Sequence, residues 1–149
     1  MMNMKLSIPL DEEGFIEMEC DFCKNRFMLH ESVFQDEAYL HFFCPICGLP
    51  NSTGSFYPEE VLEAAERMAL NYMYKEIERQ LGPTIRDINR SGLVKINMNI
   101  PQHEPEKELF TPLKEYKRIH KKCCDIDVKA TEFDVELGVY CPICGGAEL

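Results

Sequence analysis

The chain has 149 residues, with 26 acidic against 16 basic side chains and a formal net charge of −10. That balance argues against broad, sequence-blind nucleic-acid binding, which depends on neutralising phosphates with Lys and Arg. Eight cysteines in a chain of this length allow one domain or two very small ones, and cysteine chemistry can supply stability that a small core cannot.

In chain order, Met4, Leu6, Ile8 and Leu10 alternate with Lys5, Ser7 and Pro9, a pattern that predicts an edge strand. Asp11 to Gly14 reads as a turn. Ile16, Met18 and Cys20 alternate with glutamates, a strand leading into Cys20-Asp21-Phe22-Cys23; Phe27-Met28-Leu29 is the expected return strand. Residues 30–39 read as a loop or short helical turn, and Leu40 to Phe43 as a strand entering Cys44-Pro45-Ile46-Cys47-Gly48. Residues 49–57 form a connector rich in turn residues.

The strongest helical signal follows. Pro58 suits the first helical position, and Glu59 and Glu60 suit the positive end of the helix dipole. Leu62, Ala65, Ala69, Met73 and Ile77 recur at helical spacing, and Gly82-Pro83 predicts the end of the helix. Such a stripe serves either as a core shared by the flanking halves or as a partner-binding or dimerising face over 58–81; the core role is favoured because small halves offer little else to bury. Residues 84–91 predict a short second helix broken by Gly92. Val94, Ile96, Met98 and Ile100 then alternate with polar residues, predicting another strand. Acidic runs follow both strand candidates, at 11–13 and 104–108, so the chain reads as an imperfect duplication with a helix between the copies. The expected segments are 1–57, 58–91 and 92–149.

The duplication rests on one phrase, Cys-Pro-Ile-Cys-Gly, which stands at 44–48 and again at 141–145. Two cysteines two residues apart can place both sulfurs on one ion. Proline after the first and glycine after the second tighten the turn between them. Cys20, Cys23, Cys44 and Cys47 complete the pattern C-x2-C-x20-C-x2-C, the spacing of a four-thiolate zinc site. The later copy lacks an upstream C-x2-C. His120 and Cys123 have the right spacing and, with Cys141 and Cys144, make the simplest second site; Cys124 is the alternative to Cys123, since strand phase favours Cys124. His30 and His41 are expected to be loop or surface residues, because a closed site takes four ligands.

These paired cysteines, with the second pair reading CPxCG, resemble the zinc-ribbon or rubredoxin-type knuckle family over about residues 15–48 and 114–145. The resemblance implies a small, metal-stabilised α+β protein: two antiparallel β zinc ribbons, here joined by an amphipathic helix. It implies two Zn²⁺ per chain and leaves the function open.

Lys114, Lys117, Arg118, Lys121 and Lys122 form the one basic concentration. They are either an anionic-partner contact, with Lys117, Arg118, Lys121 and Lys122 at its centre, or a solvated edge strand protected by lysines. No P-loop, G-x-G-x-x-G, G-x-S-x-G or H-E-x-x-H occurs. The start of the chain lacks the apolar run of a secretory leader, and no stretch has the length of a membrane span, so thiols in a reducing cytoplasm are expected. Three functions compete. The first is a non-enzymatic zinc protein serving as a protein–protein adaptor or accessory subunit. The second is a nucleic-acid-binding or transcription-associated ribbon using 114–122. The third is a rubredoxin-like iron electron carrier.

Overall fold

A computed structural model describes residues 4–101, 105, 108–110 and 114–147. It is a small α+β structure with two antiparallel sheets and two cysteine clusters. Contacts divide the chain into two units, one of Ile8–Val61 with Leu109–Leu149 and the other of Met1–Ser7 with Leu62–Glu108. Both cysteine-rich halves therefore belong to one unit. The expected acidic run 104–108 lies largely outside the described residues.

In the cysteine-rich unit, β1 (Phe15–Glu19) and β2 (Arg26–His30) form a hairpin, followed by the short helix α1 (Glu31–Gln35). β3 (His41–Phe43) pairs with β4 (Pro50–Ser52), and a 3-10 turn at Thr53–Phe56 leads to the long helix α2 (Glu59–Ser91). The later half repeats the plan with β5 (Lys117–Lys121), β6 (Ile126–Ala130) and α3 (Glu132–Leu137). The two hairpins join edge to edge in one sheet, ordered β1-β2-β6-β5. At the seam Met28 faces Lys129 and Leu29 faces Val128. Pairing through the inner strands removes two sheet edges that would otherwise be open. The short helices begin alike: the His30 ring accepts from Ser32 N–H, and the Thr131 hydroxyl accepts from Asp134 N–H.

The core of this unit is largely aromatic. Phe27, Phe42 and Phe56 are fully or almost fully buried and stack edge-to-face or tilted, with Met18, Leu29, Val33, Val128 and Ala130 around them. The sequence assigns the helix a share of a common core. Among the described residues this buried cluster holds none from α2, of which only Val61 and Ala64 are buried.

Ion pairs tie the loops to the sheet. The Arg26 guanidinium donates to Glu17 (2.7 Å), Glu19 (3.0 Å) and both oxygens of Glu60 (2.6 and 2.9 Å), which fastens the first turn of α2. The Lys129 ammonium is largely buried, donates to Asp11 at 2.5 Å and lies 4.5 Å from the Phe15 ring centre. Asp11 in turn accepts from the N–H groups of Glu13 and Phe15, which builds the expected turn.

In the other unit, α2 is one helix of 33 residues. The sequence predicts a stop at Gly82; instead the helix runs through Pro83 and ends at Gly92, whose φ is +74°. Proline removes one N–H from the ladder and disfavours a helical residue before it, a local cost that the turns on both sides outweigh. Neither alternating segment, 4–10 or 94–100, is a strand. The Asn89 side chain instead holds Ile96, accepting from its N–H at 2.7 Å and donating to its carbonyl at 2.9 Å. Alternation signals an apolar face but does not supply a ladder partner.

Two glycine substitutions separate strain from propensity. Apart from its chain neighbours, a Cβ on Gly82 would meet only Arg86 Nη2 at 3.9 Å, but Pro83 Cδ crowds a Cβ on a helical residue before it, so the about 0.5–1 kcal/mol that alanine gains over glycine should be largely offset in Gly82→Ala. Gly145 has φ +71° and its Cβ would lie 2.7 Å from Phe43 Cδ1, so Gly145→Ala should destabilise the protein by about 2 kcal/mol. Thermal unfolding followed by circular dichroism should show little shift for the first and a clear loss for the second.

Candidate metal centres

Each knuckle is a tight turn closed by a residue in the left-handed region. Lys24 (φ +59°) follows Cys23, Gly48 (+75°) follows Cys47, Asp125 (+52°) follows Cys124 and Gly145 (+71°) follows Cys144. In three of them that residue donates its N–H to the carbonyl of the first cysteine: Lys24 to Cys20, Gly48 to Cys44 and Gly145 to Cys141, at 2.8–2.9 Å. Sulfurs accept backbone N–H groups inside the turns, from Phe22 to Cys20 at 3.4 Å and from Ile46 to Cys44 at 3.4 Å.

The first cluster gathers Cys20, Cys23, Cys44 and Cys47, with all four Sγ atoms within 4.8 Å of one another. Cys20 and Cys47 sulfurs are 3.7 Å apart, as are those of Cys23 and Cys44. An ion bonded at ~2.3 Å to four tetrahedral sulfurs sets neighbouring sulfurs ~3.8 Å apart. A disulfide requires ~2.05 Å. The donor set therefore fits a tetrahedral thiolate-bound ion.

The second cluster gathers Cys123, Cys124, Cys141 and Cys144 within the same limit, with Cys123 and Cys144 sulfurs 3.6 Å apart. The sequence weighs Cys123 against Cys124; the fold brings both. Asp125 holds the place of Lys24, so Cys124 holds that of Cys23, and Val128 is buried as Phe27 is. Counting back to the place of Cys20 reaches Lys121, which carries no thiol and is itself buried. Cys123 supplies the fourth sulfur from within the turn. His120, expected as a ligand, stands outside the cluster. Its Nδ1 lies 2.9 Å from Asp127 and its Nε2 lies 3.3 Å from Asp125, because it sits on β5 opposite Asp127.

The two clusters differ in exposure. Cys20 and Cys44 are buried in the first, whereas Cys123 and Cys144 are exposed in the second. Their thiols are also unequal. Burial opposes the Cys20 thiolate, but N–H groups of Cys23 and Phe22 outweigh it and lower its pKa. Burial raises Cys44 far above the thiol range. The Gly146 N–H lowers Cys144. Cys123 is pushed up to about 11, chiefly by its hydrogen bond with Cys141, and Cys124 to about 12, chiefly by burial. Thiols held this high are protonated at neutral pH until a cation displaces their protons.

The repeated phrases clasp each other reciprocally. Phe43 N–H donates to the Pro142 carbonyl, and Tyr140 N–H donates to the Pro45 carbonyl, both at 2.8 Å. The Phe43 ring lies over Gly145 and the Tyr140 ring over Gly48. A Cβ on Gly145 would overlap the Phe43 ring at 2.7 Å, and one on Gly48 would press on the Tyr140 ring at 3.2 Å.

The basic stretch is largely neutralised. Lys117 pairs with Glu132, and Arg118 donates to Asp127 (2.5 Å) and Glu13 (2.8 Å). With Lys121 buried, Lys122 is left of the four residues expected at an anionic contact. Among the described residues no helix is long and apolar enough to cross a membrane.

Comparison with family models, curated proteins and solved structures finds no match.

The unequal clusters predict unequal metal retention. A competing chelator should remove one ion per chain quickly from the Cys123 cluster and the other slowly from the buried Cys20 cluster. Cys123→Ser should abolish the fast phase and spare the slow one, whereas Cys20→Ser should lower the melting temperature far more than Cys123→Ser. Release of both ions in one phase would contradict this.

Proposed function

We propose that the protein is a non-enzymatic double zinc-ribbon protein that works in a reducing, cytoplasmic setting as a protein-binding adaptor or accessory subunit. The carrying observation is the pair of closed four-thiol clusters. Zinc suits all-thiolate tetrahedra. A catalytic zinc keeps an open position and a nearby base, whereas each cluster here offers four sulfurs to one ion. The ligands are Cys20, Cys23, Cys44 and Cys47 at one centre and Cys123, Cys124, Cys141 and Cys144 at the other. The same donor chemistry accepts iron, and a red, visible-absorbing protein would favour the rubredoxin-like alternative.

A protein partner is favoured over nucleic acid because the basic stretch spends Lys117 and Arg118 on carboxylates and buries Lys121. Exposed apolar side chains stand beside the knuckles instead, Phe22 inside the first turn and Leu49 just after the Gly48 turn.

Affinity purification from native extract, with and without a zinc chelator, tests the proposal. A stoichiometric protein partner that is lost on stripping metal and weakened by Phe22→Ala is expected. Mixed oligonucleotides should not bind even at ~20 mM salt. The absence of any protein partner would contradict the reading, and salt-steep oligonucleotide binding would replace it with the nucleic-acid alternative.

A further inference from the structure

Among the described residues, the long helix α2 carries an exposed apolar stripe. Leu62, Leu70, Met73, Ile77, Leu81 and Ile88 are all exposed, Leu62 and Met73 by 54% and 51%. They recur at helical spacing and lie on one face along most of the helix. A groove on a different face of the helix is lined by Gly82 and Ile85 together with Met98 and Ile100. The segment after Gly92 thus lines that other face.

The order of residues along the stripe singles out its occupant. Reflected about Lys75, the stripe nearly maps onto itself. Met73 exchanges with Ile77, Leu70 with Leu81 to within one residue, and Leu62 with Ile88. The two polar interruptions, Glu66 and Thr84, also exchange with each other. An isologous two-fold interface needs this property: residue i on one copy meets j on the other, and j meets i. An antiparallel pair of α2 helices would set every large apolar residue against another and bring Glu66 to the Thr84 hydroxyl.

Charge points to the same orientation. The half of the helix before Lys75 carries Glu59, Glu63 and Glu66 against Arg67, beside Glu60, which is held by Arg26. The half from Lys75 onward carries Lys75, Arg79, Arg86 and Arg90 against Glu76, Glu78 and Asp87. Parallel pairing would stack the acidic halves on each other. Antiparallel pairing lays each acidic half along the more basic half of the other copy.

We propose that the protein is a homodimer in which two α2 helices pack antiparallel, centred on Met73 and Ile77 and with Leu62 of each copy against Ile88 of the other. This rests on the helix alone and is independent of the metal centres and their partner.

Sedimentation equilibrium of the full metal-loaded chain over ~1–100 µM is the test. The expected species has twice the 17.3 kDa chain mass. Met73→Glu combined with Ile77→Glu, both at exposed positions, should give a monomer with unchanged helicity and metal content. A photo-crosslinking residue at Leu62, in a mixture of ¹⁵N-labelled and unlabelled chains, should join the partner peptide that holds Ile88. A monomer throughout the range, an unaltered dimer in the double variant, or crosslinks to the partner's own Leu62 peptide would each overturn the proposal.

Discussion

Four sulfurs within 4.8 Å of one another, twice in one small unit, are the constraint on which the rest of the fold depends. As thiolates they would repel; as thiols they would bury weak hydrogen-bonding groups for little return. A cation between them would resolve both problems, and the two clusters offer it four sulfurs each. The four turns each spend a left-handed residue to aim their sulfurs. The hairpins deliver the turns, and the aromatic core fixes the hairpins. The reciprocal clasp of Phe43 on Gly145 and Tyr140 on Gly48 then makes each knuckle part of the support for the other. The two centres share one buried cluster, to which the first half gives the phenylalanines and the second gives Val128, Ala130 and Val139.

The acidic excess acts at particular places in this framework. Glu17, Glu19 and Glu60 converge on Arg26, whose guanidinium they hold even more firmly charged than usual. Asp11 and Glu13 converge on Lys129. Both cations lie on strands at the centre of the sheet, so carboxylates from the turns and from the start of α2 are drawn onto it. The Tyr116 hydroxyl adds to this network by donating to Glu17 at 2.6 Å; burial first, and then that carboxylate, raise its pKa. Much of the charge that looks like a solvated surface in the sequence is therefore structural cement.

The knuckles, the first hairpin, β3 and the start of α2 were legible in the sequence because each is a local pattern: a cysteine spacing, a period of two or a proline before a run of period 3.6. The membership of the second cysteine cluster was not. Spacing pointed to His120, but the direction of a side chain at a turn is decided by which residue takes the left-handed conformation, and that residue is Asp125. The short helices at Glu31 and Glu132 are too brief to show a period, although Thr131 and Asp134 at capping distance were a signal to be found. The alternation at 94–100 was real but marked a face rather than a strand. The clasp between the two identical phrases is a tertiary fact, and repetition alone could not announce it.

Metal count and identity test the central claim most directly. Native mass spectrometry of protein purified without chelator should report two zinc ions per chain, and one after Cys123→Ser. A wild-type chain carrying no metal, or one ion only, would contradict an account in which both four-thiol clusters exist to hold a cation.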